Sequence, residues 1–167
     1  MDLHQFFIGQ AFDAYDSFGA HLTEDGVMFR VYAPSAEMVE VIVEFNGWES
    51  GSVMVQDGLT GIYELMIPEA RPGDMFKYRI HKAGNYFTDH FDPYGFGSEL
   101  RPGTATKIVD IEAYQFEDDE WMKYRTKNFD RPVNIYEVHA GSWRRKETEN
   151  EDDPAAWYRY DELGEQL

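Results

Sequence analysis

The sequence contains no cysteine. Disulfide bridges, thiolate metal sites and cysteine nucleophiles are therefore excluded. Basic residues are scarce too: 15 Lys and Arg stand against 32 Asp and Glu, for a formal net charge of −17. A surface that acidic repels phosphate backbones and anionic lipid, which argues against nucleic-acid and membrane partners. A neutral ligand such as a polysaccharide meets no such repulsion, so the charge permits a sugar partner without indicating one. No apolar run approaches the roughly 20 residues that cross a bilayer. Met1-Asp2-Leu3-His4-Gln5 lacks the basic and apolar regions of a signal peptide, and a cytoplasmic location is the expectation.

Several chemistries lack their signatures. His4, His21, His81, His90 and His139 are scattered without metal-ligand spacing, so no metal site is predicted. There is no phosphate-cradling Gly-rich loop of the Walker or Rossmann kind and no Ser in a nucleophile elbow, so no cofactor is expected. Glycosidic chemistry requires two carboxyls about 5 to 9.5 Å apart across the scissile bond. No spacing among the acidic residues singles out such a pair, and no catalytic residue is assigned.

What remains is a globular composition, 43% hydrophobic and 16% aromatic over 167 residues. That length builds one good core, with room for an incomplete second unit. Residues 2 to about 15 read as a short helix: Asp2 can cap it, and Leu3, Phe6, Phe7, Gln10, Ala11 and Ala14 fall largely on one face, although Gly9 weakens it. From Gly26 the period changes to two. Val27, Phe29, Val31 and Ala33 alternate with Met28, Arg30 and Tyr32, and Val39, Val41, Val43 and Phe45 share a face opposite Glu40 and Glu44. Tyr63, Leu65 and Ile67 form another set, and Phe76, Tyr78 and Ile80 a fourth, opposed by Lys77, Arg79 and His81. Asn46-Gly47 and Ala83-Gly84-Asn85 are turn signals, the second opening a hairpin into Tyr86 and Phe87; Thr104 to Ile111 supplies a last strand. About six short strands punctuated by Gly and Pro predict a mostly β fold, an immunoglobulin-like β-sandwich.

Residues 113–132 read as a connector with one helical turn near the acidic run Glu117-Asp118-Asp119-Glu120. Val133, Ile135, Tyr136 and Val138 then make a compact apolar strand of the kind buried in a parallel sheet. Asp153-Pro154 starts a helix, with Trp157, Tyr160, Leu163, Gly164 and Leu167 at helical spacing. Strand, loop and helix give an incomplete β/α unit over 133–167, because no second strand follows.

Sugar rings have apolar C–H faces that a flat aromatic side chain can cover while polar neighbours hold the hydroxyls. Trp48 and Tyr86 each follow a turn, and Lys77 projects from the polar face of its strand. All three can meet on one surface of the sandwich. The alternative is that Trp48 and Tyr86 pack at a rim and Lys77 is ordinary solvated surface.

The ordered run of motifs resembles the N-terminal part of bacterial glycogen (1,4-α-glucan) branching enzymes of glycoside hydrolase family 13. The matching stretches begin with Tyr15 to His21, Gly26 to Pro34 and Val39 to Trp48, the last ending in Phe45-Asn46-Gly47-Trp48. Gly61-Ile62-Tyr63-Glu64, Phe76-Lys77-Tyr78, Asp92-Pro93-Tyr94 and Arg101-Pro102-Gly103-Thr104 keep their order, and Ile135-Tyr136-Glu137-Val138-His139 through Arg145 closes the series. The resemblance implies an N-terminal helical segment over 1–20 and a family 48 carbohydrate-binding module over 21–112. After the 113–132 connector, it implies the first strand and helix of a catalytic (β/α)₈ barrel over 133–167. The family's catalytic carboxyls lie on later barrel strands, so this chain alone is expected to be inactive. The implied partners are an α-glucan (glycogen or maltooligosaccharide) and the catalytic barrel of the same enzyme. The family's glucan-binding Trp, strand Lys and second aromatic carry over to Trp48, Lys77 and Tyr86. Its binding Asn in the last strand would fall near Thr106 and is absent. The competing reading is a purely structural domain that braces the barrel and binds no sugar.

Overall fold

The computed structural model describes residues 1–126, 130, 132–150 and 153–166. It divides into two compact units, Met1–Phe116 and Glu117–Leu167.

The first unit is built from two antiparallel sheets. One contains β1 (Gly19–Thr23), β2 (Gly26–Tyr32), β4 (Val55–Gln56) and β5 (Ile62–Ile67), in the order β1-β2-β5-β4. The other contains β3 (Met38–Val43), β6 (Met75–Lys82), β7 (Tyr86–His90), β8 (Gly97–Ser98) and β9 (Thr106–Lys107). Strand β6 organises this second sheet. It pairs with β3 along one edge; on the other edge β9 takes Met75 and Phe76 and β7 takes Tyr78 to Lys82.

The period-two pattern is what folds the sandwich. Val27, Phe29 and Val31 of β2, Val39, Val41 and Val43 of β3, Tyr63 and Ile67 of β5, and Phe76 and Tyr78 of β6 all turn inward and are buried together. Phe29 and Phe76 meet edge to face at 4.9 Å across the interior. Each fully buried side chain of this size contributes about 1.5–3 kcal/mol, so the inward faces carry most of the driving force. Predicted and observed architecture agree: the chain is mostly β, with two sheets face to face.

Three local expectations are corrected. The N-terminal helix covers only Leu3–Phe7 (α1), not 2–15. Asp2 does cap it, accepting from the amides of His4 and Gln5, but Gly9 takes a φ of +72° and ends it; a separate turn of 3-10 helix covers Ala14–Asp16. Leu3 and Phe6 pack on Phe18 and Ile62, forming a small second cluster. Phe45 leaves the strand face and lies half-exposed in a 3-10 turn, because β3 ends at Val43. The Thr104–Ile111 strand contracts to Thr106–Lys107, although Ile108 still exchanges backbone hydrogen bonds with Gly73 and Asp74. Glu40 does lie on the face opposite Val39, Val41 and Val43, across from Arg79, and is 3% exposed there.

In the second unit α2 (Asp119–Tyr124) supplies the helical turn read near the acidic run. Asp153 caps a 3-10 turn over Pro154–Ala156, its carboxylate accepting from the Ala155 amide, and α3 covers Tyr160–Gly164. The predicted continuous helix is thus two pieces, interrupted at Trp157, which bridges to Arg145; Leu167 lies outside the described residues. No strand forms over 133–138, and Val133, Ile135 and Tyr136 are exposed. Apolar composition alone does not make a strand, whose backbone groups need a partner.

Candidate functional site

Two of the three site candidates, Trp48 and Lys77, lie at the outer face of the second sheet. In β6, inward Phe76, Tyr78 and Ile80 alternate with outward Lys77, Arg79 and His81. At one end of this face β3 stops at Val43, opposite Phe76, and the chain makes a 3-10 turn over Glu44–Asn46. Gly47 (φ +74°) and Trp48 (φ +64°) then both adopt the left-handed conformation. For a tryptophan this costs roughly 1–3 kcal/mol and persists only where the surroundings hold it. Here the Trp48 amide donates to the Val43 carbonyl at 2.9 Å.

The turn delivers the indole to Lys77. The Lys77 Nζ lies 5.4 Å from the Trp48 ring centroid and donates to Thr104 Oγ1 at 2.9 Å. Trp48 and Lys77 are both half-buried and Thr104 is exposed, so an aromatic plane, an ammonium and a hydroxyl share one accessible corner. Such a combination has the chemistry to cover the C–H face of a sugar and to bond its hydroxyls.

Tyr86 does not join them. It pairs with Lys82 at the far end of β6, five residues or roughly 16 Å from Lys77. Cross-strand partners share a face, and Lys82 alternates with His81, so Tyr86 belongs to the face opposite Lys77. Its neighbour Phe87 pairs with His81 and therefore lies on the Lys77 side, 54% exposed. Sequence reasoning passed over Phe87, because only the hairpin register decides which aromatic faces outward.

Between the two aromatics the face carries a charged bridge. Arg79 donates to both carboxylate oxygens of Asp89 at 2.8 and 2.9 Å and to Ser50 Oγ at 2.9 Å, and its guanidinium lies 4.6 Å from the Phe87 ring centroid. The Arg79 hydrogen bonds hold the Asp89 carboxyl below its ordinary value. Glu40 accepts from the Gly51 amide at 2.8 Å and meets His81 Nε2 at 2.6 Å.

Thr106, where an Asn was sought, is no part of this face. It is 1% exposed, and its Oγ1 accepts from the Asp92 amide inside the sandwich. Thr104, two residues earlier, takes the polar position beside Lys77. Among the described residues no group of three or more His, Asp or Glu could hold a metal ion, and no helix is long and apolar enough to cross a membrane.

Two facing antiparallel sheets with an aromatic–cation corner on one outer face make an immunoglobulin-like β-sandwich, the architecture of the module that the sequence matches. Residues 17–95 match the family model described as carbohydrate-binding module 48 (isoamylase N-terminal domain). The chain is 38% identical over 148 residues to the 1,4-alpha-glucan branching enzyme GlgB of Trichodesmium erythraeum, covering 85% of this chain and 19% of that protein. To its counterpart in Fusobacterium nucleatum it is 37% identical over 169 residues, covering 100% of this chain and 27% of that protein. Among solved structures, a mutant pullulanase from Paenibacillus barengoltzii complexed with maltotriose aligns with a TM-score of 0.53 and 26% identity, over 66% of this chain and 17% of that one. The chain thus carries a match to module 48 and is similar over most of its length to 1,4-alpha-glucan branching enzymes; it spans about a fifth to a quarter of the length of the relatives it matches.

Proposed function

We propose that this chain holds α-glucan, as glycogen or maltooligosaccharide, on the outer face of its second sheet, and that it does so within a cytoplasmic 1,4-α-glucan branching enzyme of glycogen synthesis. The observation that carries the reading is the pairing of Trp48 with Lys77 beside Thr104, on a fold whose family is carbohydrate-binding. Phe87 stands on the same face and takes the second aromatic position in place of Tyr86. Residues 133–167 are assigned to the opening of the catalytic barrel. Similarity across the whole chain to the Fusobacterium nucleatum branching enzyme supports that assignment. The barrel strand at 133–138 is then completed by pairing with its neighbours in the barrel.

The test is affinity electrophoresis of the purified chain through a gel containing glycogen, beside a Trp48→Ala variant. Retardation of the parent that the variant loses is the expected result. Equal, unretarded mobility of both leaves the module as a structural brace for the barrel.

A further inference from the structure

The loop that carries Trp48 is clamped on both sides of a strained residue. Upstream, the Trp48 amide is tied to Val43. Downstream, Ser50 accepts from Arg79 and the Gly51 amide donates to the 3% exposed Glu40. A tryptophan at φ +64° relaxes toward ordinary backbone once those ties are cut. Arg79 has a second set of contacts, on β7: two hydrogen bonds to Asp89 and the stacked ring of Phe87. One guanidinium, with its side chain 16% exposed, therefore joins the loop of the first aromatic to the strand of the second. The planar fork of arginine suits this; a lysine presents a single charged point and cannot make all three contacts.

We propose that Arg79 is a positioning residue for glucan recognition: it fixes the Trp48 loop and the Phe87 strand in one frame, so that a linear glucan long enough to span both aromatics is bound as a unit. This rests on the glucan-binding reading above. Glu40 backs it by holding Gly51. The distinctive consequence concerns chain length. A rigid frame makes a long oligosaccharide gain over a short one, because its second contact needs no further ordering. A loosened frame loses that gain while leaving the short ligand's contact at Trp48 largely in place.

Calorimetric titration with maltose and with maltoheptaose measures this on the parent chain and on Ser50→Ala, Arg79→Lys and Trp48→Ala. Ser50→Ala removes only the tie to the loop and leaves the Asp89 pair intact, which protects the test from a folding defect; melting curves check each variant. The parent is expected to prefer maltoheptaose. Ser50→Ala and Arg79→Lys are each expected to weaken maltoheptaose about fivefold, the worth of one hydrogen bond, with little change for maltose. Faster amide exchange at Trp48 and Gly51 in both variants is expected without any ligand. A parent that binds while both variants bind maltoheptaose equally well overturns the role of Arg79 alone. Failure of the parent to bind either sugar, with Trp48→Ala unchanged, overturns the glucan reading and this role with it.

Discussion

The Lys77 ammonium stands 5.4 Å from the centre of the Trp48 indole, although Trp48 follows the turn after β3, Lys77 lies within β6 and the two are 29 positions apart. The antiparallel register of β3 with β6, which sets Ile42 opposite Lys77 and Val43 opposite Phe76, brings the turn after β3 to that side chain. In the proposed site the indole supplies the stacking plane and the ammonium a charged donor. Trp48→Ala should weaken glycogen binding by roughly thirtyfold or more, as expected for loss of an aromatic anchor. Lys77→Met keeps the aliphatic stem and loses only the charge and the bond to Thr104, so a smaller loss of about tenfold is expected. Both side chains are half-buried at the surface, and neither change should lower the melting temperature by more than a few degrees. Retardation in glycogen gels, read beside melting curves, separates loss of binding from loss of fold.

Phe87 and Tyr86 make a paired comparison. They are adjacent in sequence and similar in size, but the register Lys82 opposite Tyr86 and His81 opposite Phe87 sends them to opposite faces. Phe87→Ala should reduce maltoheptaose affinity several-fold, while Tyr86→Ala should leave it unchanged. The reverse order in a titration would restore Tyr86 as the second aromatic and remove Phe87.

That pair also shows where the sequence stops being readable. Val27, Phe29 and Val31, or Phe76 and Tyr78, declare their strands because one face is buried and the alternation is strict. Strand β1, Gly-Ala-His-Leu-Thr, has no such alternation; it exists because its backbone pairs with β2 from Gly19↔Arg30 to Thr23↔Gly26. Glu40 reads as surface by type, and its burial depends on Gly51 and His81, which are distant in sequence. The turn that strains Trp48 was visible in Asn46-Gly47, and so was Lys77 on a polar face. The face of each hairpin aromatic was not, because a register shift of one residue inverts them all.

Two glycines with positive φ predict unequal costs. Gly58 (φ +57°) has nothing within 4 Å of where a Cβ would stand, whereas at Gly61 (φ +78°) a Cβ would meet Pro34 Cα at 2.6 Å and Pro34 Cβ at 2.8 Å. Gly58→Ala carries only the left-handed penalty, about 1–2 kcal/mol. Gly61→Ala adds a clash with the segment leaving β2, where Ala33 donates to the Gly61 carbonyl at 2.8 Å. Its expected cost is about 3 kcal/mol or more, in the class of strained and overpacked sites. Urea unfolding of the two variants side by side gives the comparison; equal midpoints would mean that the β2 end yields without cost.

Asp92 makes the fold pH-dependent in a direction opposite to that of a salt-bridged carboxylate. It is 0% exposed; Oδ1 accepts from the Tyr94 amide at 2.9 Å, and Oδ2 has the Tyr78 hydroxyl at 3.4 Å. Burial pushes its carboxyl up from 3.8 to about 6, against the smaller opposing effects of those hydrogen bonds and of His21. Because the folded chain holds the proton more tightly than the unfolded one, the stabilisation is complete below about pH 4. It is lost as pH rises through the window from 3.8 to about 6 and does not return above it. At about 1.4 kcal/mol per pKa unit, the loss is at most roughly 3 kcal/mol. Asp92→Asn keeps an acceptor for Tyr94 and cannot ionise. Other titrating groups are common to both proteins, so the parent-minus-variant stability, from urea unfolding at closely spaced pH, isolates this one carboxyl. It should fall between about pH 4 and pH 6 and then level off. A difference that rises with pH in that window would instead mean that the Tyr94 and Tyr78 hydrogen bonds outweigh burial and hold the carboxylate charged.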